Sequence, residues 1–141
     1  MPQLIAVLIT AILLALGGLL THYEALRAAS CLLPALSLPP RQKILVVICI
    51  ALLGHVLEIG LYACGYWLFL EGNTANLSAD ALIEQAIYIS FESFASLGTS
   101  AGFPIGPLRL LAGTEALVGL ILIGWTTSYT YIAMRDLWDQ H

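Results

Sequence analysis

Residues 95 to 107 read Ala95-Ser96-Leu97-Gly98-Thr99-Ser100-Ala101-Gly102-Phe103-Pro104-Ile105-Gly106-Pro107, with three glycines and two prolines. Such a run fits neither a helix nor a strand facing lipid. The chemistry open to it is oxygen coordination. Backbone carbonyls and the hydroxyls of Ser96, Thr99 and Ser100 can replace the hydration shell of a hard cation. A second set of residues is His55, Glu58 and Tyr62, whose spacings of three and four put them on one helical face. An ionisable residue at the centre of an apolar span costs about 2.5–3.5 kcal/mol on insertion scales, so it asks for a function or a partner. Two readings follow: a proton-sensitive His55–Glu58 pair that tunes a pore, or a buried bridge to the donors Trp125, Thr126, Thr127, Ser128 and Tyr129. The bridge already accounts for a tolerated buried carboxylate and is preferred. Glu92 and Glu115 are a third set, either electrostatic support behind the 95–107 run or plain acceptors for loop amides. No nucleophile–base pair, phosphate-cradling loop or metal-ligand spacing is present. His22, His55 and His141 read as scattered structural residues, so neither an enzyme nor a bound cofactor is expected.

The elements that must position these residues follow from composition. Of 141 residues, 60% are hydrophobic and 10% charged, and the mean hydropathy is +0.91. A soluble domain carries about 25% charge, so lipid is the expected solvent. Five basic residues against nine acidic ones exclude a nucleic-acid partner. Three blocks are long enough to span a bilayer: 4–20, 44–70 and 109–134. The first is read as a retained span, since Met1-Pro2-Gln3 offers no positive n-region for a signal peptide. The chain is thus divided into an N-terminal helix over 1–22, a connector over 23–43, a membrane domain over 44–134 and a tail over 135–141. Pro34, Pro39 and Pro40 predict a non-helical connector. The amphipathic stretch 81–95, with Glu84 and Glu92, is too polar for lipid and too apolar for a solvated loop. Three cysteines give no disulfide framework.

Arg27, Arg41, Lys43 and Arg135 lie on one side of these spans and Arg109 on the other. The positive-inside rule places the connector and C-terminus in the cytoplasm and the N-terminus outside, in a multi-pass inner-membrane protein.

Span, short helix, small-residue loop, span is the plan of a pore loop. Here the sequence resembles the small two-transmembrane members of the potassium-channel superfamily. The resemblance rests on Ser90-Phe91, then Ser96-Leu97-Gly98, then Pro104-Ile105-Gly106-Pro107-Leu108, continuing Arg109-Leu110-Leu111-Ala112-Gly113-Thr114-Glu115-Ala116-Leu117-Val118-Gly119. It implies a first helix over 44–70, a pore helix over 81–95, a filter loop over 96–107 and a second helix over 109–134. It also implies an all-α homotetramer around a central pore. The permeant ion would be monovalent, potassium or sodium, held through Ser96, Gly98 and Thr99. Gly119 and Gly124 would be either a hinge or close-packing sites, and Gly119, Leu122, Thr126 and Thr130 could line an inner cavity or form a packing face.

The filter departs from the family pattern. Ser96, Leu97, Gly98, Thr99, Ser100 and Ala101 stand where the family has T-V/L-G-Y-G-D, so the second glycine and the bracing aromatic are absent. A serine forced into left-handed backbone costs about 1–2 kcal/mol. Altered or weak selectivity is therefore expected. In a second register, Thr99-Ser100-Ala101-Gly102-Phe103 resembles the single-glycine filters of Trk/Ktr-type potassium transporters, making Gly102 the left-handed residue. Alternative readings are a non-conducting scaffold or regulatory subunit partnering intact channel subunits, and a lipid- or small-molecule-binding membrane module.

Overall fold

The computed structural model of the chain describes residues 1–71, 78–97 and 106–138. Its described residues form four helices: α1 (Pro2–Ala35), α2 (Pro40–Glu71), α3 (Ala79–Phe94) and α4 (Leu108–Trp138). Helices α1, α2 and α4 have 34, 32 and 31 residues and are apolar enough to cross a membrane. At 1.5 Å per residue each exceeds the roughly 30 Å hydrocarbon core. Three spanning helices in an all-α chain agree with the expected membrane class.

The bundle is oily outside, and its mostly apolar interior holds a few buried polar side chains, His22, Glu58, Ser90, Ser93 and Glu115. Ile5, Ile9, Ile12, Leu16 and Leu20 of α1 are exposed, whereas Val7, Ala11, Gly18, His22, Leu26 and Ala29 form its buried stripe. In lipid there is no hydrophobic drive between helices, so small residues and hydrogen bonds must hold them together. Helices α1 and α2 run antiparallel, with Leu14 beside Gly65, His22 beside Glu58 and Ala25 beside Gly54. Gly65 leaves room for Leu14, whose Cδ1 would stand 2.6 Å from a Cβ there and would have to turn aside. Helix α4 runs antiparallel to α2, with Glu115 reaching Tyr66 and Thr126 reaching His55.

The proline-rich connector is shorter than expected. Helix α1 continues to Ala35 and takes in Pro34, and α2 begins at Pro40. Pro34 occupies the last turn, where the chain need not extend past the proline's ring. Pro40 opens its helix, where the missing N–H has no partner to lose. The Pro39 carbonyl accepts from Gln42 N at 2.9 Å and Lys43 N at 3.2 Å. The expected connector over 23–43 thus reduces to residues 36–39. At the other end α4 extends past 134 to Trp138, with Arg135 complementing its C-terminal dipole.

Helix α3 differs in kind. Its 16 residues span about 24 Å, less than the hydrocarbon core. Ser78 caps its N-terminus by accepting from Ala81 N, and Asp80 sits in the first turn. The short helix expected over 81–95 runs from Ala79 to Phe94.

Candidate functional site

Contacts made by α3 fix its depth. The Ser90 hydroxyl lies 2.8 Å from the Ile59 carbonyl and 2.5 Å from Glu115 Oε1. Phe94 stacks at a tilt on His55, ring centroids 5.3 Å apart. The Phe94 carbonyl oxygen lies 2.5 Å from where Gly119 would carry a Cβ. His55 is at the midpoint of α2 and Gly119 is eleven residues into α4. Helix α3 therefore descends from the Glu71/Leu108 end and stops halfway down the bundle. The described part of the link from α3 to α4 begins there, at Ala95.

Its first turn is described. Ser96 has φ +53°, Ser96 N donates to Ser93 O at 3.0 Å, and Leu97 N donates to Glu92 O at 3.0 Å. This is a Schellman ending with Ser96 in the left-handed position usually given to glycine. Ser96, expected as an ion ligand, is thus the helix terminator, and its backbone N–H is spent on α3. Leu97 is 74% exposed. Gly98, Thr99, Ser100, Ala101 and Gly102, on which the filter expectations fall, lie outside the described residues, as does His141.

Two polar clusters brace this descent. In the first, Glu115 Oε2 accepts from the Tyr66 hydroxyl at 2.6 Å, while Ser90 engages Oε1. Tyr66, Ser90 and Glu115 are each fully buried. The expected pairing of Glu92 with Glu115 divides. Glu115 is the acceptor that ties α2, α3 and α4 together, whereas half-buried Glu92 is bonded to Tyr88 on its own helix.

The second cluster joins α1, α2 and α4. His22 Nδ1 lies 2.8 Å from Glu58 Oε1, and His55 Nδ1 lies 3.0 Å from Glu58 Oε2. Thr126 Oγ1 lies 3.1 Å from His22 Nε2 and 3.0 Å from His55 Nε2. The two imidazoles stand side by side, centroids 5.0 Å apart and 29° from parallel, between one carboxylate and one hydroxyl. Trp125 closes over His22. His55 and Glu58, and Thr126 among the donors, are legible in the sequence, whereas His22 reads there as isolated. The missing signal is the antiparallel register of α1 on α2, which no spacing within either helix reveals. His22, His55 and Glu58 are also a group whose ligand atoms lie within 4.8 Å of one another.

Tyr62, expected on the same face as Glu58, is buried there, but its hydroxyl has no hydrogen-bond partner among the described residues. Of the two readings of the Gly119, Leu122, Thr126 and Thr130 stripe, cavity lining or packing face, the fold has the packing face at its first three residues. Gly119 and Leu122 are buried, with Gly119 against Phe94, and Thr126 is engaged by the histidines. Gly124 lies on the opposite, open side of α4, with Leu117, Leu120, Ser128 and Tyr131. Thr130 is half-buried. Compared with known proteins, the chain matches no family model, no curated protein and no solved structure.

Proposed function

We propose that the chain is one subunit of a membrane channel for monovalent cations, potassium or sodium, built from four copies around a central axis. The observation that carries this reading is the half-depth ending of α3 beside His55 and Gly119. A helix C-terminus carries roughly half a negative charge. Ending mid-bundle, it lowers the energy of a cation where the bilayer is least hospitable. Irregular backbone at that depth must be buried in protein or line a wet cavity. One chain leaves Leu97 and the Ile83, Ile87, Tyr88 and Phe91 face of α3 uncovered, so neighbouring copies are the natural cover. In this assembly the 97–105 hydroxyls and carbonyls face the ion, Ser96 terminates the pore helix, and Glu115 holds that helix from behind. The inner wall is then the open side of α4 around Gly124 and Ser128. Four bases on the connector side and tail orient the loop outward.

The reading is tested by cation flux in liposomes reconstituted with the purified chain. Flux that changes selectivity in Thr99→Ala or Gly98→Ala supports it. A stable tetramer without flux favours the non-conducting scaffold, for which the departures at Thr99, Ser100 and Ala101 speak. A monomer in lipid contradicts both.

A further inference from the structure

The ring formed by His22, Glu58, His55 and Thr126 has more hydrogen bonds than hydrogens. Four contacts of 2.8, 3.0, 3.0 and 3.1 Å close it, and each needs one hydrogen. A neutral imidazole supplies one, a hydroxyl supplies one, and a carboxylate supplies none. Two histidines and Thr126 therefore supply three. Whichever tautomers are chosen, one contact is left with two lone pairs facing each other. His22 and Glu58 are 0% and 1% exposed and His55 14%, so the mismatch falls among buried and half-buried groups wherever the tautomers place it. An unmatched buried polar contact and an uncompensated buried carboxylate are both costly.

A fourth hydrogen resolves both problems at once. One histidine then donates at both nitrogens, Thr126 accepts from it and donates to the other histidine, and Glu58 accepts twice. All four contacts are satisfied and the ring is electrically neutral. Thr126 is free for this task. Its neighbours Thr127 and Ser128 donate back to the Ile123 and Gly124 carbonyls, whereas Thr126 Oγ1 faces the two rings.

We propose that this ring is a buried binding site for one exchangeable proton, shared between His22 and His55 through the Thr126 hydroxyl and neutralised by Glu58. Sharing balances simply. The Nε2–H bond of one histidine breaks as an O–H bond forms on Thr126, while the former Thr126 hydrogen passes to the other Nε2. No oxidant or reductant takes part. The groups facing the ring are His22 from α1, His55 and Glu58 from α2, Phe94 from α3, and Trp125 and Thr126 from α4. The other buried carboxylate, Glu115, is occupied by Tyr66 and Ser90.

A divalent metal ion is the competing occupant. It needs ligand atoms about 2.0–2.2 Å from the ion. The Nδ1–carboxylate separations are instead those of direct N–H···O bonds. Imidazoles that chelate one ion also splay apart from it, whereas these two close on single partners at both ends. The site adjoins Phe94, so the shared proton sits directly under the end of α3. The proposal does not depend on conduction.

Magic-angle NMR of histidine-15N-labelled full-length chain in lipid bilayers tests it, in a His141→Gln background so that only the ring histidines report. At neutral pH the two histidines should together show one unprotonated ring nitrogen, averaged over both Nε2 positions. Thr126→Ser should keep that pattern, and Thr126→Val should produce a second unprotonated nitrogen. Two unprotonated nitrogens in the parent chain would overturn the proposal. So would about one equivalent of tightly held zinc by elemental analysis, with shifts of metal-bound Nδ1.

Discussion

The backbone carbonyl of Phe94 occupies the space that a side chain on Gly119 would need, with 2.5 Å between that oxygen and the Cβ position. The half-depth helix α3 and the span α4 are thereby fitted backbone to backbone. A methyl group at Gly119 must push α3 off α4. Overpacking of this kind costs about 1–3 kcal/mol. Gly119→Ala should lower the thermal midpoint in detergent. Gly124→Ala, where nothing lies within 4 Å, should raise it through helix propensity, by about 0.5–1 kcal/mol.

Ser96 holds left-handed backbone at φ +53° to end α3. Ser96→Gly removes the penalty of that conformation and should stabilise the chain by about 1 kcal/mol. Ser96→Val should destabilise it, since a branched side chain is worse placed there. Equal unfolding midpoints for the three chains would contradict the Schellman assignment.

Removing the Glu115 carboxylate strands the Tyr66 hydroxyl, whose other contact is Ser93 at 3.5 Å. Ser90 keeps the Ile59 carbonyl as an acceptor. Glu115→Leu should therefore cost about 1–3 kcal/mol for the stranded group. Glu115→Gln, which retains one carbonyl acceptor, should cost less. The Glu115→Leu, Tyr66→Phe double variant should recover part of the loss, because donor and acceptor are then both gone. Chemical denaturation in a fixed micelle composition ranks the three.

His22→Ala and Glu58→Ala both break the ring that ties α1 to α2. Losing one partner of a buried charged contact costs about 3–5 kcal/mol. The two losses should be far from additive in a double-mutant cycle, because they remove the same contact. Independent effects would show that α1 docks without the ring.

Much of this was legible along the chain. The three spans follow from hydropathy, and the short helix is marked by its polar content and by the glycine-proline run after it. His55 and Glu58 share a helical face that spacing alone reveals. His22 was not legible, because it meets Glu58 only through the antiparallel register of two helices. The length of α1 was misread for a local reason: Pro34 lies one residue from the helix end, so its missing N–H costs the last turn one bond and no further turn follows. Ser96 looked like a ligand by its hydroxyl. Its role as a terminator depends on backbone that only glycine or asparagine would have announced. The stripe Gly119, Leu122, Thr126 and Thr130 was legible as a face, but whether it meets a cavity or another helix was not, because periodicity gives a face and not what covers it.

The most direct test of the central claim is a spin label at Leu97, as Leu97→Cys in a chain whose Cys31, Cys49 and Cys64 are replaced by serine. The account predicts a label near the bilayer centre, with two inter-label distances in the ratio of a square's diagonal to its side. A label at the lipid headgroups, or no inter-label distance in native-like bilayers, would contradict a half-depth helix ending inside a four-fold assembly.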